Sequence, residues 1–366
     1  MRQRQYTITP AQIHAHASWR IQRHVRLADH GRKCRAGVLW TVLFWAASRL
    51  SSLAAACATL RDAPSDTAAH EALRRRRQPL AIDLTLLPYH GGPLHDPEEI
   101  YRSQAKSGTS HFHAYATAYV IKKGRRFTVA LTAVGRHDPL PEVLQRLLRQ
   151  AGQTGVRPRY LLLDRGFCSV EVIRYLQTAR HAWLMPLTLR GRKANHARGP
   201  SGSRVFATWK KSGWGRYTMK NAAGRKARFD VCVKCRNRRG QRGRHGREAL
   251  VYAFGGRLKP SSYQWVKETY RSRFAIETSY RQLHQARIRT STKDPLLRLL
   301  YVGVALVLRN VWVWLHWEVL ARRRRGPRQV DLRRMTFRQM LLWLQHHAEG
   351  WLGICEQTLA ERPAWG

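Results

Sequence analysis

The sequence predicts an α/β fold, a sheet begun by an antiparallel meander and extended by parallel strands, with helical regions at both ends. Three observations predict it. The apolar pattern changes from helical to strand-like near residue 79, three strand-like segments come before the next helix, and helix and strand then alternate to residue 187. The chain has 366 residues, 43% of them hydrophobic, which is enough for a substantial core and leaves room for two or three units.

Residues 1–78 read as a helical region, with one helix over 10–25, an Ala- and Leu-rich helix over 34–61, and an Arg run at 74–77 that closes it. Such a basic unit fits a DNA-end-binding element and a plain packing pair equally. The segment AIDLTLLPY (81–89) is a strand, and after a polar loop two more strands, 111–123 and 125–134, flank a turn at Gly124. A helix over 139–152 has Pro near its start and Gly at its end. The strand RYLLLD (159–164) follows, then a helix over 169–182 that Ser169 is placed to cap, then the strand WLMPL. That order is the ribonuclease-H-like arrangement, and it places the first part of a core at 79–189.

Residues 190–261 carry Gly, Arg and short strand-like pieces at 204–209, 216–220, 228–235 and 248–254, which read as a β-rich insertion. Helix returns over 262–288. After a break at Asp294-Pro295 a more apolar helix runs to about residue 320, so that 262–321 forms the second part of the core. A basic linker at 322–328 and an amphipathic helix over 336–347 occupy the C-terminal region, 322–366.

Lys and Arg number 67 against 22 Asp and Glu, a formal net charge of +45 spread along the whole chain. A field of that size calls for a polyanion, and nucleic acid is the obvious one, because cations that displace condensed counterions gain affinity for phosphate backbones without reading sequence. Only 13 of the 67 are Lys; the Arg excess fits bidentate phosphate contact and a GC-rich genome equally well. Six scattered Cys and the lack of a secretory pattern lead us to expect a cytoplasmic, nucleoid-associated prokaryotic protein. The apolar runs at 36–48 and 299–308 fall short of the roughly 20 residues of a membrane span, so both are expected as buried helices and no membrane partner is expected.

Most of the acids lie in polar loops or at helix starts, where capping explains them. Three do not. Asp83 interrupts an apolar strand, and Asp164 ends the apolar run LLL at a strand's carboxyl edge; carboxylates in such places are costly unless paired with a cation. The first and fourth strands of the predicted sheet are neighbours, which brings the two together. Glu277 lies mid-helix; on a continuous helix Tyr270, Arg273, Glu277, Arg281 and His284 fall within an arc of about 80°. Taken alone, Glu277 between Arg273 and Arg281 is an ordinary surface salt-bridge lattice. Asp230 is a rival third acid, expected to face outward from a strand of the insertion. Cys232 and Cys235 have zinc-ligand spacing, but neither a second Cys pair nor the isolated Asn195-His196 completes a site. His111 and His113 alternate along a strand and are read as a structural pair.

These residues match a family pattern. Tyr270, Arg273, Glu277 and His284 resemble the Tyr-Arg-Glu-Lys motif of DDE transposases in the insertion-sequence-four superfamily. Asp164 in LLLDRGFCS looks like that family's second acid, and Asp83 in AIDLTLLPYHG like its first. The resemblance covers roughly 79–320. It departs at His284, where the family has Lys. It implies phosphodiester hydrolysis at transposon ends and strand transfer into target DNA, with Asp83, Asp164 and Glu277 as catalytic ligands of two Mg²⁺, for which Mn²⁺ would substitute. Tyr270, Arg273, Arg281 and His284 would contact DNA, Trp209 or Trp214 would stack on a flipped base, and a homodimer would bridge two terminal inverted repeats and the target. The alternative is a basic DNA-binding protein, a domesticated or inactive transposase, that does not cut.

Overall fold

A computed structural model describes residues 9–22, 77–93, 96–121, 126–154, 156–194, 198–237, 247–321 and 329–353. The expected helix at 34–61 with its apolar run at 36–48, the first three residues of the Arg run at 74–77, the Gly124 turn, Asn195-His196 and the linker at 322–328 lie outside the described residues. The chain divides into two units, one of residues 72–278 and one of residues 1–71 with 279–366.

The unit 72–278 is built on a sheet that has nine strands among the described residues. They are β1 (Gln78–Pro88), β2 (Tyr101–Lys106), β3 (Thr109–Val120), β4 (Thr128–Val134), β5 (Pro158–Leu163), β6 (Trp183–Pro186), β7 (Gly213–Lys220), β8 (Lys226–Asn237) and β9 (Arg247–Gly255). The order is β2-β3-β1-β5-β6-β9-β8-β7, and β4 also pairs with β3. β1 is antiparallel to β3 and parallel to β5, and β5 is parallel to β6. β4-β3-β1-β5-β6 is therefore the ribonuclease-H-like core that the sequence predicts.

The centre of this sheet is covered on both faces, because β3 is buried continuously from Phe112 to Val120 and β5 from Leu161 to Leu163. α2 (Leu140–Gln153) buries Val143, Leu144, Leu147 and Ala151. α3 (Val170–Thr178) buries Val172, Ile173 and Leu176, and its first turn is capped by Ser169, whose hydroxyl accepts from the Val172 amide at 3.2 Å. His113 packs on Tyr89, ring centroids 4.5 Å apart.

Beyond β6 the sheet continues through β9, β8 and β7, all antiparallel. The strand-like segments at 216–220, 228–235 and 248–254 thus extend the core sheet itself. Gly256 makes the return possible: it has φ +64°, and a Cβ there would lie 1.6 Å from the His181 carbonyl oxygen.

The sequence reading differs from the structure at three places. Residues 101–106, taken as polar loop, form β2, which turns into β3 through Ser107 and Gly108, both at positive φ. The segment 204–209, taken as strand, falls in a 3₁₀ turn, Gly202–Thr208, whose buried Ser203 and Phe206 are three residues apart. The single helix expected over 262–288 is α4 (Tyr263–Arg271), a 3₁₀ turn (Ser272–Phe274) and α5 (Ala275–Ala286).

The other unit contains α1 (Pro10–Gln22), α6 (Pro295–Trp314) and α7 (Phe337–Leu352). α6 starts where the sequence breaks: Asp294 accepts from the Leu296 and Leu297 amides, and Pro295 stands at the first helical position. With its terminal π turn it runs to Val319, 25 residues, long and apolar enough by length and composition to cross a membrane, which the shorter run read at 299–308 did not suggest. In this unit it is a core helix, with His16 of α1 stacked on Trp314 at 4.6 Å and the Trp312 indole donating to the Met335 carbonyl at 2.9 Å.

Candidate active site

Asp83 lies within β1 opposite Thr117 of β3. The parallel register pairs Ile82 with Leu163, so the next residues along are neighbours: Asp83 midway along β1 and Asp164 just past the carboxyl end of β5. Their environments differ: the Asp83 side chain is 15% exposed and that of Asp164 43%. The third acid, Glu277, stands in the first turn of α5, 40% exposed.

The three meet on one cation. Arg273 occupies the 3₁₀ turn between α4 and α5, and its side chain is 6% exposed. Its Nη1 donates to Asp83 Oδ2 at 2.8 Å, and its Nη2 lies 3.2 Å from both Asp164 Oδ1 and Glu277 Oε1. The break in the helix matters here, since Arg273 lies in the tightened turn that separates α4 from α5. Burial pushes the Asp83 carboxyl up to about 6; the Arg273 charge opposes the rise and the Asp164 charge adds to it. The Asp83 Oδ1 atom also accepts from the Leu84 amide at 2.9 Å. Burial likewise holds the Tyr270 phenol well above its ordinary range, so it stays a hydrogen-bond donor near neutrality. The Arg273 guanidinium lies 5.6 Å from the Tyr270 ring centroid, and the Tyr252 ring of β9 lies 5.3 Å from that of Tyr270.

Among the described residues no three His, Cys, Asp or Glu side chains stand close enough together to hold a metal ion. The acids are instead spread around the guanidinium. Their donor chemistry fits a hard divalent ion, because three carboxylates already share one positive centre in a partly buried site. Cys232 and Cys235 do not pair: Cys232 is buried with its thiol pushed up to about 12, while Cys235, three strand positions on, donates to the Trp209 carbonyl. Asp230 faces outward and pairs with Arg216 at 3.1 Å.

The remaining expected residues fall in different settings. Trp209 packs on Phe206 at 5.5 Å and lies under Gly213, where a Cβ would come within 2.6 Å of its ring. Trp214 is 42% exposed, 4.7 Å from Tyr263 of α4, and lines an open cavity with Gly215, Asp230, Phe254 and Pro260. Arg281 and His284 are farther along α5, both exposed. Desolvation and then the Arg287 charge lower the His284 pKa, which leaves the ring neutral at pH 7. Sequence reasoning gave Arg273 a place on the DNA and missed that it is the shared counter-ion of all three acids; the only signal was its spacing of four from Glu277.

The family model described as "Transposase DDE domain" matches residues 74–296. No curated protein sequence matches. Among solved structures, a cryo-EM structure of a piggyBac transposase synaptic complex with hairpin DNA aligns with a TM-score of 0.45 and 11% identity, over 78% of this chain and 55% of that one. With the family match spanning more than half its length, the chain belongs to the transposase DDE domain family.

Proposed function

We propose that this transposase cuts DNA at transposon ends and transfers the strands to target DNA, with Asp83, Asp164 and Glu277 as its metal-holding acids. The observation that carries the reading is the convergence of three acids, far apart in sequence, on the Arg273 guanidinium at 2.8–3.2 Å. Mg²⁺, or Mn²⁺ in its place, would activate the attacking oxygen and neutralise the leaving one when bound there. The protein's part is to hold acids of unlike exposure around one guanidinium, two from neighbouring central strands and one from α5. Arg273 holds the three carboxylates together, and with those acids holding the ions its guanidinium would be free to meet a DNA phosphate.

Tyr270, kept protonated, donates to a phosphate oxygen beside the cleavage point. Arg281 carries the charge that a Lys at position 284 would supply, because His284 is neutral and can offer only a hydrogen bond; the resemblance of Tyr270, Arg273 and Glu277 to the Tyr-Arg-Glu-Lys motif supports an insertion-sequence-four type. Of the two tryptophans, exposed Trp214 suits a flipped base, and Trp209 supports the strand beneath it. Two copies would bridge two terminal repeats.

Incubating the protein with its element's terminal repeats and Mg²⁺ tests the reading. Wild type is expected to cut and Asp164→Ala to bind without cutting. Cleavage by the variant, or binding without cleavage by wild type, would leave a DNA-binding protein with structural acids.

A further inference from the structure

We infer that the outer face of the β7–β8 hairpin is a second DNA contact, a cationic track for the phosphate backbone of duplex DNA leading away from the cleavage site. The inference rests on the reading of the chain as a DNA-processing enzyme. The antiparallel register places Trp214 opposite Cys232, Arg216 opposite Asp230, Thr218 opposite Arg228 and Lys220 opposite Lys226. Paired residues share a face, so one side of the hairpin carries Trp214, Arg216, Thr218, Lys220, Lys226 and Arg228, all exposed, together with half-buried Asp230 and, opposite Trp214, buried Cys232. The other side buries Met219, Ala227, Phe229, Val231 and Val233.

Two features set this face apart from an ordinary solvated one. Lys220 and Lys226 are directly opposed, an arrangement that costs stability and that alternation alone does not require. The ion pairs on this face are Arg216 with Asp230 and Arg236 with Glu248, which leaves Lys220, Lys226 and Arg228 facing solvent among the described residues. The track also has a direction. Its inner end is Trp214, in contact with Tyr263 at the start of α4, and the same helix ends at Tyr270 beside Arg273. Lys226 and Arg228 stand about 7 Å apart along β8 and Arg216 and Lys220 about 14 Å apart along β7; cations at such spacings can follow a polyanion, and such contacts hold DNA in place without reading its sequence.

The test is the salt dependence of binding to a random-sequence duplex, measured by fluorescence anisotropy for the full chain. Each phosphate contact contributes about 0.9 to the slope of log K against log salt, so Lys220→Gln/Lys226→Gln/Arg228→Gln is expected to flatten it by roughly 2.7. Lys220→Glu alone turns a repelling pair into an attracting one, so its melting temperature should rise while the slope flattens by about 0.9. An unchanged slope in both variants would overturn the track, as would an equal loss in Arg102→Gln/Lys106→Gln on the far strand β2. If wild type binds no duplex at all, the transposase reading itself falls, a result distinct from either.

Discussion

The two halves of the sheet obey different rules. In β3, β1 and β5 both faces are covered, and the chemistry comes from the few polar residues that interrupt apolar strands, Asp83 above all. In β7 and the first part of β8 one face is buried and the other open, and β7 alternates Trp214, Arg216, Thr218 and Lys220 with residues that face the core. The first half can place a charge only by giving it a partner. The second can carry many charges cheaply. A site that must hold acids close together therefore belongs in the first half, and a surface that must follow a polyanion in the second.

The comparison is broken most severely by removing chemistry without removing stability. Glu277→Gln should lower cleavage by about 10³-fold, roughly 4 kcal/mol of transition-state stabilisation, because the acid would be lost as a metal ligand. Its exposed pair with Arg273 should cost stability less than about 1 kcal/mol. A large fall in melting temperature with little change in cleavage would reverse the assignment. Arg273→Ala should do the opposite in EDTA: a buried Asp83 left without its cation loses about 3 kcal/mol of stability by denaturant unfolding. Added Mn²⁺ should restore part of that loss in Arg273→Ala by binding only the folded state.

A smaller effect follows from the Asp83 carboxyl, pushed up to about 6 by burial. A raised acid pKa means that the folded state holds its proton more tightly than the unfolded one. The contribution is fully present below about pH 4 and is lost as pH rises through about 6, an effect of roughly 3 kcal/mol at most. Metal binding should show the reverse trend, strengthening as pH rises through about 6, and Asp83→Asn should remove the pH dependence of stability in that window. The smallest effect belongs to the open half: Lys220→Glu should raise stability by about 0.5 kcal/mol, since it removes a like-charge pair opposite Lys226.

How legible each feature was in the sequence follows from the same contrast. Asp83 and Asp164 stand out because each breaks a run of buried aliphatic residues, and the order of strands and helices gave the core because its apolar runs are long. β2 was missed because Tyr101–Lys106 is largely exposed and has no apolar alternation; only pairing with β3 makes it a strand. The turn at Gly202–Thr208 reads as strand from Val205, Phe206 and Thr208, yet its buried residues follow a spacing of three. Arg273 was the hardest to read. Its i,i+4 spacing to Glu277 suggested a surface pair, and its bond to Asp83 spans 190 residues, a contact that exists only once α4 ends and the chain tightens over Ser272–Phe274.

The central claim, that three acids form one metal-dependent site, is tested most directly by calorimetric titration of Mn²⁺ into wild type, Asp83→Asn, Asp164→Asn and Glu277→Gln, each shown to be folded. Wild type should bind, and every single substitution should weaken binding by about tenfold or more, the cost of one lost ligand. Equal affinity in all four proteins would contradict the account and leave Arg273 as the only cation these carboxylates serve.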